Sequence, residues 1–255
     1  MKLALAQMLV EPGQAAANLA RAEQRIGEAA TRGAEVVLLP ECLDLGWTHP
    51  SARELATPIP EGESCQRLIA AARRHRVFVC GGIVERAGDR LYNAAVLLDP
   101  EGRLLLHHRK IHELDFGREL YATGDRLGVT DTPFGRIGLM ICADGFAPGQ
   151  VISRTLALMG ARIILSPCAW AVPADHDNER EPYGRIWLEN YGAVCREIGV
   201  IIAGCSNVGE VTAGPWAGRP CIGCSLVIGP DGEPLVRGPY GAHAEELIVL
   251  ETPSR

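Results

Sequence analysis

Hydrophobic residues follow two alternating patterns along this chain: short continuous runs, and longer stretches with helical spacing. Short apolar runs without strong breakers predict buried strands at 2–8, 34–39, 77–84, 137–141 and 200–205. Apolar and alanine positions at helical spacing predict helices over 18–31, 64–75, 151–159 and 184–197. We expect Asn18 and Ser64 to cap the first two helices, and the runs at 93–98 and 104–110 predict a hairpin. This alternation of strand and helix indicates an α/β protein.

The second half of the chain repeats the order of strand, helix and turn signals found in the first half. The stretch from Gly33 to Glu41 has a counterpart from Gly160 to Cys168, and the turn at 99–102 has one at 229–232. We therefore predict two pseudo-symmetric halves whose sheets pack face to face with helices outside, as a four-layer α-β-β-α sandwich. Continuous apolar strands suit sheets that are covered on both faces. No linker rich in Gly, Ser or charge separates the halves, so a single domain over 1–255 is expected.

The composition of the chain argues against several classes of function. The formal net charge of −6, without a basic cluster, argues against a nucleic-acid partner. The apolar runs are far shorter than the roughly 20 residues of a membrane helix. The first eight residues are too short for a signal peptide and lead directly into a predicted strand, so we expect a cytoplasmic protein that binds a small molecule.

The nine cysteines do not indicate a disulfide framework, because the count is odd and most lie in apolar or small-residue runs. Cys221 and Cys224 form the one CxxC pair. A structural zinc site would need a second pair or histidines at ligand spacing, which the sequence lacks, so no metal is expected. Packing near a strand is favoured for this pair, with a redox pair as an alternative.

Cys142 stands apart because it follows the predicted strand at 137–141 and precedes the turn signal Asp144-Gly145. Open α/β sheets bind ligands in the crevice beyond the carboxyl ends of their strands. Glu41 follows another buried run and Pro40, an unusual place for a solvated carboxylate, and Lys110 ends the predicted hairpin. Packing of the thiol and solvation of the two charged groups are the alternatives for each residue alone.

Together these three residues suit one chemistry. A nearby cation and an adjacent base favour the thiolate that attacks a carbonyl or nitrile carbon. The Glu41 carboxylate can carry protons, and the Lys110 ammonium can stabilise an oxyanion. The backbone N–H of Ala143, directly after the thiol, is a second candidate donor to that oxyanion. This set calls for neither metal nor cofactor.

The chain resembles the nitrilase, or carbon–nitrogen hydrolase, superfamily over nearly its whole length. The resemblance is carried by Glu41 after an apolar strand, Arg109-Lys110-Ile111-His112 and Gly138-x-x-Ile141-Cys142-x-Asp144, in the family's order. It implies the four-layer sandwich, homo-oligomers built on a dimer, and a catalytic triad. In that triad Glu41 would be the base, Lys110 the oxyanion-stabilising cation and Cys142 the nucleophile.

The resemblance also implies a second glutamate in the loop after the lysine, for which Glu113 and Glu119 compete. Neither aligns cleanly with the family pattern, and we favour Glu113 because it lies only three residues from Lys110. Trp170 is a candidate pocket residue, with an ordinary core position as the alternative. Ala143 stands where the family commonly has an aromatic residue, and Asp144 is expected to fix the turn through backbone N–H groups.

The sequence therefore favours a thiol-dependent hydrolase of non-peptide C–N bonds, acting on a small amide or N-carbamoyl substrate through a Cys-bound acyl intermediate. Nitrile hydrolysis at the same site is one alternative. A catalytically silent sandwich acting as a binding module is another, and a redox sensor using Cys221 and Cys224 is a third.

Overall fold

The computed structural model describes residues 1–253, which form fourteen strands and five α-helices. The strands are β1 Lys2–Gln7, β2 Val36–Leu38, β3 Phe78–Ala87, β4 Arg90–Leu98, β5 Leu104–Arg109, β6 Val129–Thr132, β7 Gly135–Leu139, β8 Ile163–Cys168, β9 Ile201–Ser206, β10 Val208–Glu210, β11 Pro220–Ile222, β12 Leu226–Ile228, β13 Pro234–Arg237 and β14 Glu246–Glu251. The helices are α1 Ala15–Thr31, α2 Ala52–Leu55, α3 Glu63–His75, α4 Val151–Leu158 and α5 Arg185–Ile198.

Two six-stranded sheets share one pattern of strand directions. The first runs β14-β1-β2-β3-β4-β5 and the second β6-β7-β8-β9-β12-β13. In each sheet three central strands are parallel, one antiparallel strand flanks them on one side, and two antiparallel strands follow on the other. The repeat that the sequence predicts is therefore present as a correspondence of β1–β5 with β7, β8, β9, β12 and β13.

The sheets face each other, and helices cover their outer sides. Strands β1, β2 and β3 contact β8 and β9 across an apolar core. Helices α1 and α3 pack together over the first sheet, and α4 and α5 pack over the second. The predicted α-β-β-α sandwich is confirmed, and it brings the carboxyl ends of β2 and β7 into the same region of the molecule.

Both predicted N-caps are wrong. Helix α1 begins at Ala15, because three consecutive alanines favour helix before Asn18 is reached. The Asn18 side chain instead bonds Glu11, at 2.9 Å to its N–H and 2.7 Å to its carbonyl, and the Asp44 carbonyl at 2.9 Å. Helix α3 is capped by Gly62, and the Ser64 hydroxyl hydrogen-bonds the Asp44 carboxyl.

Some elements have no counterpart in the sequence-based prediction. Strand β14 returns from the carboxyl-terminal part of the chain to pair antiparallel with β1, and β6 pairs with β7. Strand β7 ends at Leu139, two residues earlier than expected, so Met140 and Ile141 lead from the sheet into the turn. No helix within residues 1–253 is long and apolar enough to cross a membrane.

Candidate active site

Glu41 lies just beyond the carboxyl end of β2, where its backbone is held from two sides. Its N–H donates to the carbonyl of Cys168, at 3.1 Å, in the other half of the molecule. Gly82 of β3 lies against the same segment, since a Cβ at that position would be 2.6 Å from the Glu41 Cα. The close approach of two backbones therefore requires glycine at 82.

Lys110 directly follows β5, and its side chain lies between two carboxyl groups. Its Nζ donates to Glu41 Oε1 at 2.8 Å and to Glu113 Oε1 at 3.0 Å. The amide of Asn93 on β4 donates to both glutamates, at 2.6 Å to Glu41 Oε1 and 3.0 Å to Glu113 Oε2. Glu41, Lys110 and Glu113 are 1%, 3% and 3% exposed, so this network is shielded from solvent.

Cys142 opens a 3₁₀ turn over Cys142–Phe146 in the left-handed backbone region, with φ of 43°. A non-glycine residue in that region stores about 1 kcal/mol of strain or more, a feature typical of functional turns. The Cys142 N–H donates to Ser166 Oγ at 3.0 Å, and the Tyr191 hydroxyl donates to the same oxygen at 3.2 Å. Ala143 is the second residue of this turn, where N–H groups lack an acceptor within the turn.

Asp144 connects the turn that carries Cys142 with the segment that carries Lys110. Its carboxylate accepts from the N–H groups of Ile141 at 3.0 Å, Ile111 at 3.1 Å and His112 at 2.7 Å. His108 Nε2 lies 2.8 Å from the remaining position on Oδ2. Burial opposes the charge, but His108 and the N–H groups of His112 and Ile141 outweigh it and lower the pKa of Asp144. The expected role of Asp144 therefore extends beyond its own turn.

The electrostatics of the site favour a protonated thiol beside a glutamate of raised pKa. Burial raises the pKa of Cys142 well above its ordinary value, with Cys168 and Glu41 adding to the effect and Lys110 opposing it. Burial also raises the pKa of Glu41, because Lys110 is partly offset by Glu113. For Lys110, burial is outweighed by Glu113 and Glu41, which raise its pKa. Lys110 thus favours the thiolate, as expected of a neighbouring cation, but burial outweighs it, so the thiol needs a base.

Glu41, Lys110, Cys142 and Ala143 line one cavity of about 170 Å³. All four tryptophans of the sequence line it too, with other apolar side chains. Trp170 stacks on Trp187, with 4.6 Å between ring centroids, and Trp47 makes an edge contact with Trp216 at 5.0 Å. Trp47 also adjoins the buried network, since Lys110 Nζ lies 5.7 Å from the centroid of its ring.

The structure separates the competing candidates. Glu113 is buried against Lys110, whereas Glu119 is exposed at the end of a short 3₁₀ turn. Cys221 and Cys224 are unpaired thiols, and burial raises their pKa to about 12 and about 11, so neither is an activated thiolate. No group of three or more His, Cys, Asp or Glu side chains in the described part of the chain could hold a metal ion.

Sequence reasoning missed several residues of the site. Asn93 joins Glu41 to Glu113, and its signal was a polar residue inside the apolar run of β4. Phe146 and Tyr183 also line the cavity, and no hydrophobic pattern or motif in their segments predicts this position. Trp187 and Trp216, which are weaker candidates than Trp170 on sequence grounds, line it as well. Distant aromatic residues reach the cavity through tertiary packing, which periodicity does not report.

The sequence profile of the carbon–nitrogen hydrolase family matches residues 2–253, and this chain belongs to that family. A Pyrococcus abyssi protein named nitrilase is 39% identical over 181 residues, which are 68% of this chain and 66% of that protein. The omega-amidase NIT2 of Homo sapiens is 32% identical over 243 residues, covering 91% of this chain and 81% of the relative.

Solved structures show the same fold. Saccharomyces cerevisiae Nit3, described as a member of the nitrilase superfamily, superposes with a TM-score of 0.81 at 25% identity, covering 98% of this chain and 89% of the other. The NitN amidase from Nesterenkonia sp. AN1 superposes with a TM-score of 0.83 at 22% identity, covering 99% of this chain and 93% of the other. These neighbours belong to the superfamily that the sequence motifs resemble.

Proposed function

We propose that this protein hydrolyses the C–N bond of a small amide through an acyl group bound to Cys142. The observation that carries the proposal is the buried network in which Lys110 bonds Glu41 and Glu113, on the wall of the cavity that Cys142 also lines. Nucleophile, proton carrier and cation are thus available to one substrate. Relatives named omega-amidase, 30% to 32% identical over most of their length, support an amide over a nitrile.

In the first half-reaction the Glu41 carboxylate takes the proton from the Cys142 thiol as the sulfur attacks the carbonyl carbon. The raised pKa of Glu41 favours this transfer, because it brings the base closer to the thiol in proton affinity. The carbonyl oxygen becomes an oxyanion, stabilised by the Lys110 ammonium and the Ala143 N–H. Glu41 then gives its proton to the departing nitrogen, the C–N bond breaks, and a thioester remains.

In the second half-reaction Glu41 takes a proton from water, and the resulting hydroxide attacks the thioester carbon. The same two donors stabilise the second oxyanion. Collapse of this intermediate breaks the C–S bond, releases the carboxylic acid and returns the proton to sulfur. Glu113 holds Lys110 charged and in place throughout, as its 3.0 Å bond to Nζ indicates.

The test is a panel of small amides, N-carbamoyl compounds and nitriles, assayed for release of ammonia or amine. We expect turnover of at least one amide and its loss in Cys142→Ala. Cys65→Ala is the matched control, because Cys65 is buried in α3 away from the cavity. Turnover of nitriles alone would replace amide hydrolysis with the activity named for the Pyrococcus abyssi relative. No release from any compound, with Cys142 shown to be alkylatable, would contradict both.

A further inference from the structure

The cavity beside Cys142 has a nearly uniform apolar wall. Among its fourteen lining residues within 1–253, Glu41 and Lys110 carry charge. Six of the remaining twelve are aromatic, namely Trp47, Phe146, Trp170, Tyr183, Trp187 and Trp216. Any part of a substrate that extends beyond its scissile group therefore contacts a mainly apolar surface.

The charged and hydroxyl-bearing side chains of this wall are engaged within the protein, whereas the indole N–H groups of Trp47 and Trp170 are buried without a hydrogen-bond partner in the described part of the chain. Lys110 is bonded to Glu41 and Glu113, and the Tyr183 hydroxyl accepts from Trp187 Nε1 at 2.9 Å. Arg219 stacks over the Trp216 ring, with its Cζ 4.4 Å from the centroid, but it is not part of the cavity lining. Within the described residues, the lining thus offers no second cation for a substrate carboxylate.

The charge of the site also disfavours an anionic substrate. Two carboxyl groups, Glu41 and Glu113, surround the one ammonium of Lys110. A carboxylate in the adjoining cavity would lose its hydration without gaining a free cation as its partner, and it would lie near groups of its own sign. An uncharged apolar group loses nothing comparable and gains from burial.

Building on the proposed amide hydrolysis, we infer that the substrate is a neutral amide whose acyl group is short and apolar, and that acid-bearing amides are excluded. The cavity of about 170 Å³ corresponds to about six water molecules at roughly 30 Å³ each, which suits a branched chain of a few carbons or a small ring.

Three amides of equal size separate charge from shape. 4-Methylpentanamide, succinamide and succinamate have the same number of non-hydrogen atoms, and they end in an isopropyl group, a neutral amide and a carboxylate. We expect kcat/KM to fall in that order, with succinamate about 100-fold or more below 4-methylpentanamide. Equal or better turnover of succinamate would overturn the inference and leave the proposed hydrolysis intact.

Binding to Cys142→Ala gives a readout that needs no catalysis. Because every tryptophan of the chain lines the cavity, intrinsic fluorescence reports its occupancy directly. We expect 4-methylpentanamide to shift the emission at concentrations at least about tenfold lower than succinamate does. Equal affinities would overturn the inference. Selective binding without turnover in the wild type would instead support the cavity's preference and contradict the proposed hydrolysis.

A cation added to the wall should reverse the preference. Ile186 lines the cavity near the start of α5 and is 43% exposed, so Ile186→Arg introduces a guanidinium at the rim without burying it fully. We expect the ratio of kcat/KM for succinamate over 4-methylpentanamide to rise about tenfold or more in Ile186→Arg, and to stay near the wild-type ratio in the neutral control Ile186→Gln. The same ratio in both variants would contradict the electrostatic argument.

Discussion

His108 Nε2 lies 2.8 Å from Asp144 Oδ2, and both side chains are buried between the strand that leads to Lys110 and the turn that carries Cys142. The same carboxylate accepts from the N–H groups of Ile111, His112 and Ile141. One side chain therefore sets the distance between the cation and the nucleophile, although it does not line the cavity.

Asp144→Asn should lower both stability and turnover. The amide of asparagine replaces one carboxylate oxygen with an NH₂ group, which cannot accept a hydrogen bond. Either Ile141, or Ile111 and His112, then lose their acceptor, and a buried unsatisfied donor costs about 1–3 kcal/mol. Displacement of the turn should also reduce kcat at least about tenfold. Denaturant unfolding and steady-state kinetics check both effects. Asp125→Asn is the control, because that side chain is exposed, and equal losses in both variants would contradict the positioning role.

Glu113→Gln should move the acidic limb of the pH profile of kcat/KM to lower pH. The charge of Glu113 helps to raise the pKa of Glu41, and its removal makes the base easier to deprotonate. We also expect kcat to fall, because Lys110 loses one of its two carboxylate partners. Glu119→Gln should leave the profile unchanged, since that side chain is exposed. A shift in Glu119→Gln alone would assign the second glutamate to position 119.

Gly82→Ala should cost far more activity than Gly81→Ala. A Cβ on residue 82 would lie 2.6 Å from the Glu41 Cα and 3.0 Å from the Pro40 carbonyl oxygen, so backbone must move. On residue 81 it would meet side-chain atoms of Leu43 and Leu39 at 3.2 Å and 3.3 Å, which can adjust. A shift of the base by a fraction of an ångström predicts a drop in kcat of up to about 100-fold for Gly82→Ala. Similar kcat values for the two variants would show that the position of Glu41 tolerates the change.

Asp44→Asn tests a buried carboxyl outside the cavity. Burial raises the pKa of Asp44 to about 6, against 3.8 for an unperturbed group, despite bonds from Val84 and Leu45. Because the pKa is higher in the folded state, the folded protein binds more protons between pH 4 and 6. The free energy of unfolding therefore falls as pH rises through that window, by about 3 kcal/mol from this group.

Urea unfolding of the wild type and Asp44→Asn from pH 4 to 7 checks this expectation. The stability of the wild type relative to the variant should decrease as pH rises, since the amide does not titrate. A constant difference between the two proteins across the range would show that Asp44 is ionised throughout.

Much of the fold could be predicted because the halves repeat the same local signals. The stretch ending at Glu41 and the stretch ending at Cys168 occupy equivalent places, and in the structure their backbones meet in a 3.1 Å hydrogen bond. The helix starts were wrong where side chains serve tertiary bonds, as Asn18 does with Glu11 and Asp44. The pairing of β14 with β1 joins distant parts of the chain, and local sequence patterns do not predict it.

The site residues likewise include some that the sequence predicts and others that it does not. Glu41 and Cys142 could be singled out because each follows an apolar run, and Lys110 because it ends a predicted hairpin within a motif that resembles the family's. Trp170 was a pocket candidate, but Asn93 and most of the aromatic wall were not predicted, because their roles depend on neighbours far away in sequence. The effect of Lys110 on the thiol could be predicted in direction, but the larger opposing effect of burial on the pKa of Cys142 depends on tertiary packing.

The most direct test of the account is to identify the covalent intermediate. The protein in excess over a small neutral amide would be quenched with acid at successive times, and its peptides mapped by mass spectrometry; a parallel reaction would contain hydroxylamine. We predict a transient acyl group on Cys142 alone among the nine cysteines, and a hydroxamate product when hydroxylamine intercepts it. An acyl group on another cysteine, or wild-type turnover in Cys142→Ala, would contradict the mechanism.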